Sequence, residues 1–185
     1  LNTGQWIENA CKAEEEGYDA FTGGCMFDPG FLQIKEMVDI PVAFAAETSF
    51  HVACLLANKF SLLSPGESLL YAIEERVKRY GLWERFVPTG CFDTSIEQLR
   101  DGISHPAPIV KAVKKEAKKA IGSGAGILVP GCNILNMVLV NAGIREIDGI
   151  PILDNVGVVV KMAELLVDLN ETGVTRSRKG FHASL

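Results

Sequence analysis

Residues 18–30 read YDAFTGGCMFDPG, and this stretch decides how the chain is organised. Asp19 to Thr22 predicts a short buried strand, and Gly23-Gly24 delivers Cys25 at its end. Asp28 is then expected to cap a helix, with Pro29 in its first turn and FLQIKEMV continuing it. Residues 126–133, GILVPGCN, echo the pattern with an apolar strand, a glycine and Cys132. The chain therefore reads as two half-sites, each placing a cysteine at a strand-to-helix junction.

Working outward, Trp6, Ala10 and Ala13 give helical spacing before the first strand, and Gly17 can end that helix. No strand precedes this helix in the chain, although an α/β layer would supply one. Residues 40–46, IPVAFAA, suit a buried parallel strand, and residues 50–59 a helix capped by Thr48 or Ser49. A second unit begins with the strand at 60–63 and the Ser64-Pro65-Gly66 break. Leu69, Ile73, Val77 and Tyr80 mark one helix face; Ile109, Val113, Ala117 and Ala120 mark another. Residues 86–91 and 150–153 are candidate strands, and Val159, Ala163, Leu166 and Leu169 form the stripe of a late helix. Strands alternating with helices predict an α/β fold with parallel sheets, whose ligands gather beyond the carboxyl ends of the strands. Both cysteines fall at such ends.

Composition narrows the function. Among 185 residues, 48% are apolar and 22% charged, a globular balance. A net charge of -5 argues against a nucleic-acid partner, and the basic run 111–119, KAVKKEAKK, reads as a solvated helix face. No apolar run is long enough to cross a bilayer, so no membrane partner is expected. Five cysteines at wide spacing, with no CxxC, predict reduced thiols and a cytoplasmic location rather than a zinc or disulfide framework. There is no GxGxxG, GxxxxGK[ST] or GxSxG motif.

A thiol at a helix N-terminus becomes more acidic, and the unbonded N–H groups there also hold anions. Gly24 and Gly131 let backbone approach closely. Two such junctions facing each other suit proton transfer at a carbon beside a carbonyl. One thiolate removes the proton from one face, and the other thiol returns one to the opposite face. This chemistry needs no cofactor. The competing reading makes each cysteine a small buried hydrophobe.

The stretches GGCMFDPGF (23–31), IPVAFAAETS (40–49) and GILVPGCNILN (126–136) resemble the aspartate/glutamate/hydantoin racemase superfamily, most of all its hydantoin-racemase-like branch. IPILDNVGVVVKMAELLVDL (150–169) and TRSRKGF (175–181) are also similar, so the resemblance covers essentially the whole chain. It implies two similar flavodoxin-like lobes with parallel sheets and a substrate cleft between them. Residues 1–59 and 153–185 would form lobe one, and residues 60–152 lobe two. It also implies an N-terminal strand that is missing from this chain. The implied activity is cofactor-independent racemisation or epimerisation of an amino acid or hydantoin-like derivative, with Cys25 and Cys132 as the catalytic pair. The partner would be a small molecule carrying a carboxylate or cyclic amide, and a homo-oligomer is compatible with the sequence.

Phe27, Glu47, Thr48 and Asn133 are the expected substrate-binding residues. Glu47 has a competing role as a first-turn helix carboxylate, and Asn133 as a helix cap. The chain departs from the family pattern at Met26, Ala45 and Asn133-Ile134, which leaves the substrate open. A decarboxylase or isomerase using one cysteine, or a binding protein that kept the fold, are the alternatives. Superfamily decarboxylases keep mainly the later cysteine, so a pair favours racemisation. Cys11, Cys54 and Cys91 read as structural. His51, His105 and His182 form no ligand pattern, and Arg176 and Arg178 are expected to hold the tail against lobe one.

Overall fold

The structure, a computed structural model, describes residues 2–177. Its first part runs α1 (Thr3–Glu15), β1 (Phe21–Gly23), α2 (Phe31–Met37), β2 (Val42–Phe44) and α3 (Ala45–Leu56). Strands β1 and β2 pair in parallel, Phe21 with Val42 and Gly23 with Phe44. Helices α1 and α2 pack on this pair through Trp6, Ala10, Phe31, Ile34 and Val38, which enclose the Phe44 ring.

The second part runs β3 (Phe60–Leu63), α4 (Glu67–Arg79), a single 3-10 turn (Trp83–Arg85), β4 (Phe86–Val87), α5 (Ile96–Asp101), α6 (Ala107–Gly122), β5 (Ile127–Pro130) and α7 (Asn133–Asn141). Its parallel sheet has the order β4-β3-β5. The four residues of β3 and the four of β5 are all buried, as expected of strands covered on both faces. The α6 stripe is Ile109, Val113, Ala117 and Ala120, as the spacing predicts. The hairpin β6 (Glu146–Ile147) and β7 (Ile150–Pro151) follows, then α8 (Asn155–Glu171). Helix α8 returns to pack on α3, β1 and β2. One apolar core joins the parts: Ala43, Phe50, Phe60, Leu62, Ile73, Val129 and Val159 belong to a single cluster. This is an α/β fold with two parallel-sheet regions.

Several boundaries differ from the sequence reading. The strand expected at 40–46 ends at Phe44, and α3 starts at Ala45 rather than after Ser49. The strand expected at 86–91 stops at Val87. The polar stretch after it holds α5, closed by a capping box in which Ser95 accepts from the Gln98 N–H and the Gln98 side chain accepts from the Ser95 N–H. Residues 150–153 do not extend a parallel sheet in full. Ile150 turns back on Ile147 across an Asp148-Gly149 turn with both residues at positive φ, and only Ile152 bridges to Leu128. Among the described residues, no helix is long and apolar enough to cross a membrane.

Candidate active site

The second half-site follows its sequence closely. Strand β5 delivers Gly131, whose N–H donates to Leu63 O at 2.9 Å. A Cβ at Gly131 would lie 3.2 Å from that same oxygen, so glycine permits the approach. Cys132 is the N-cap of α7, with extended φ of -148°. Its carbonyl accepts the Asn136 N–H at 2.9 Å and starts the helix. No side chain caps α7, so its first-turn N–H groups are open to another acceptor. The Asn133 amide instead donates across to Gly24 O in the first half-site.

The first half-site is built differently. Gly23 is the glycine under steric pressure, because a Cβ there would sit 2.3 Å from the Phe44 ring; at Gly24 the nearest atom is the Asn133 amide at 3.4 Å. Cys25 heads a tight turn closed by the Asp28 N–H to Cys25 O at 2.9 Å. It is not at a helix start. Helix α2 begins only at Phe31, behind Gly30 at φ 71° and without a side-chain cap.

Asp28 therefore does not cap α2. It sits at φ 43°, nearly buried, and turns its carboxylate to α3. Oδ1 accepts the Ala46 N–H at 2.8 Å, Oδ2 accepts the Glu47 N–H at 2.8 Å, and the Tyr80 hydroxyl donates to Oδ2 at 2.5 Å. The reason is positional. Helix α3 runs straight out of β2 behind Phe44, which has no capping oxygen, so its buried N-terminus takes an acceptor from another loop.

Cys25 and Cys132, with Phe27, Leu69, Asn133 and Ile134, line one pocket of about 180 Å³. All described cysteines are free thiols, and both of these are half-buried. Burial pushes the Cys25 thiol up, and the charges of Asp28 and Cys132 push the same way against the Phe27 N–H. Burial also raises the Asp28 carboxyl, although the Tyr80 hydroxyl and the Ala46 and Glu47 N–H groups oppose it. Tyr80 is driven far upward by burial and by Asp28, so it remains a donor. The Asn133 Oδ1 is buried and has no hydrogen-bond partner.

The structure brings together Cys25, Phe27, Cys132 and Asn133. Glu47 and Thr48 line a separate groove of about 220 Å³ beside Lys35 and His51. There the Glu47 carboxylate lies 3.1 Å from Lys35 Nζ, which also sits 4.0 Å from the centre of the Phe31 ring. Cys91 bridges to Ser64 in backbone pairing, and Cys54 gives its carbonyl to Arg85. Arg176 donates to Val38 O at 2.6 Å, against α2. Arg178 and His182 lie outside the described residues. Sequence reasoning missed Leu69 in the pocket wall and Asn155 behind it. The spacing marks Leu69 only as one member of a helix face, and nothing in it marks Asn155. Among the described residues, no group of three or more His, Cys, Asp or Glu is placed to hold a metal ion.

Known proteins share this sequence pattern and fold. The family model described as Asp/Glu/Hydantoin racemase matches residues 3–163. A hydantoin racemase from Pseudomonas sp. (strain NS671) is 32% identical over 171 residues, 89% of this chain and 65% of the relative. Another, from Paenarthrobacter aurescens, is 30% identical and covers 91% of this chain and 70% of the relative. The chain thus spans about two thirds of the length of these relatives, slightly less for the first. Among solved structures, allantoin racemase from Klebsiella pneumoniae superposes with a TM-score of 0.81 at 27% identity, covering 97% of this chain and 70% of that one. A glutamate racemase from Bacillus anthracis shares the fold at a TM-score of 0.62 and 11% identity, covering 96% of this chain and 70% of that one.

Proposed function

This chain belongs to the Asp/Glu/hydantoin racemase family, and from that premise we propose that it is a cofactor-independent racemase or epimerase. The reaction is proton transfer at a carbon beside a carbonyl, with Cys25 and Cys132 on opposite faces. The observation that carries the reading is the single pocket lined by both sulfurs. In one direction Cys132 Sγ takes the carbon-bound proton and Cys25 gives its thiol proton to the other face. The upward push on Cys25 keeps that proton in place until it is needed. The electron pair left on the carbon spreads to the adjacent carbonyl oxygen, where the uncapped N–H groups of α7 stabilise it. The reverse direction exchanges the two roles.

The buried, unpaired Asn133 Oδ1 favours a substrate with an N–H donor. Its Nδ2 is committed to Gly24 O, which fixes the amide orientation and leaves the buried Oδ1 as an unpaired acceptor in the pocket wall. A ring N–H of a hydantoin-like cyclic amide satisfies it; a free carboxylate there meets repulsion. The names of the relatives point to the same substrate class. Phe27 and Leu69 would then hold the ring. Glu47 and Thr48 act on substrate only if it extends toward the Lys35 groove. In this reading residues 1–59 and 153–185 make one lobe and residues 60–152 the other; residue 1 and residues 178–185 lie outside the described residues, and for the rest the packing of α8 on β1, β2 and α3 supports the division.

The test is α-proton exchange in deuterium oxide, with an enantiopure 5-methylhydantoin and with free amino acids, for wild type, Cys25→Ala and Cys132→Ala. Racemisation is expected to fall by on the order of 10²–10⁴ in either variant. Racemisation that survives both substitutions refutes the two-cysteine chemistry. Wild-type turnover of a free amino acid but no hydantoin refutes the substrate class.

A further inference from the structure

Behind the cysteine pocket lies a polar side chain that neither cysteine motif contains. Asn155 is fully buried at the first position of α8. Its Nδ2 donates to Pro130 O at 2.5 Å and reaches Met26 Sδ at 3.5 Å. Pro130 is two residues before Cys132, and Met26 directly follows Cys25. One amide group thus touches the chain beside each cysteine. Its backbone N–H donates to Asn136 Oδ1 at 3.0 Å, and Asn136 is the residue whose N–H closes the first turn of α7 on Cys132 O.

Capping α8 does not explain this residue. Asp154 does that, accepting the Gly157 N–H at 3.2 Å while Asn136 Nδ2 donates to it at 2.8 Å. Burial works against the Asp154 charge, but those two donors and Arg145 outweigh it and hold its carboxyl below the usual range. Nor does full pairing explain Asn155, because its Oδ1 is buried without a partner. The orientation is fixed, since Pro130 O accepts only and requires the amide nitrogen. A buried acceptor left open is destabilising, and an apolar side chain of similar size would avoid that cost. The interaction retained in exchange is the link between the two cysteine-bearing segments.

We infer that Asn155 is a positioning residue that sets the separation of Cys25 and Cys132 by tying Met26 to Pro130. This rests on the two-cysteine reading above. Removing the tie lets the two segments shift relative to each other without touching either thiol. Proton removal by the nearer cysteine continues, while delivery from the far face slows. The distinguishing signature is the partition between α-deuterium exchange with retention and exchange with inversion, which a loss of stability alone does not move.

The experiment uses the full chain, Asn155→Leu, Asn155→Ser and the two cysteine variants, with enantiopure 5-methylhydantoin in deuterium oxide. Asn155→Leu is expected to lower kcat for racemisation at least tenfold with KM changed less than about threefold. The ratio of retention to inversion should rise at least fivefold over wild type. If Asn155→Leu does not fold, Asn155→Ser carries the comparison, because its shorter side chain cannot span both segments. A folded Asn155 variant with wild-type partition overturns the proposal, provided the cysteine variants are inactive. Cysteine variants that racemise normally overturn the two-cysteine reading itself, whatever Asn155 does.

Discussion

Cys132 stands at the start of a helix that has no side-chain cap, whereas Cys25 stands in a turn several residues ahead of its helix. The two stretches of sequence look alike, yet they produce different surroundings. At Cys132 the backbone supplies open N–H groups and little else. At Cys25 the thiol meets burial, a Phe27 N–H and the charge of the buried Asp28 carboxylate. The same glycine-cysteine pattern thus yields one face suited to stabilising charge and one face suited to keeping a proton. In the proposed reaction one sulfur holds its proton before each turnover, and this asymmetry favours the direction in which Cys25 is the donor.

That comparison can be broken at several points. The largest effect is expected from Asp28→Ala, which leaves two buried helix N–H groups and the Tyr80 hydroxyl without their acceptor. Urea unfolding should show a loss of about 3 kcal/mol or more. The second half-site has no counterpart to this carboxylate, so Asn133→Ala should cost far less stability while lowering kcat/KM for a hydantoin about tenfold, near 1.4 kcal/mol. Equal losses of stability in the two variants would remove the asymmetry.

A smaller effect separates the glycines. Gly23→Ala drives a Cβ into the Phe44 ring and is expected to cost about 1–3 kcal/mol, read as a lower thermal midpoint. Gly24→Ala meets only ordinary contact with the Asn133 amide and should stay within about 1 kcal/mol in stability. A result with Gly24→Ala the more damaging would shift the packing constraint to the wrong residue.

The smallest effect is in pH. The Cys25 thiol is raised on folding, mainly by burial. Its contribution to stability is therefore complete below the unfolded thiol value, about 8.5, and is lost as pH rises through the higher folded value. Wild type should lose stability faster than Cys25→Ala as pH rises above about 8.5 in urea titrations. Parallel slopes would mean that Cys25 is not buried as described.

The alternation of elements, the parallel strands and the two glycine-cysteine junctions were legible in the residues alone. These are local matters: β3 and β5 are apolar except for Ser61 and are buried along their whole length because both faces are covered, and the α6 stripe follows from helical spacing alone. The resemblance of the motifs then led to the family. Tertiary structure alone decided which acceptor meets which helix end. Asp28 was legible as a cap, but a carboxylate carries no label for the helix it will serve, and the nearer helix was the wrong one. Glu47 and Cys132 both follow strands, yet only the second reaches the pocket, because α3 begins early and turns Glu47 toward Lys35. Asn155 lies far along the chain from both segments it touches, and no periodicity records an amide placed between two backbones. Those contacts depend on how the sheets and α8 pack together, where distance along the chain no longer predicts distance in space.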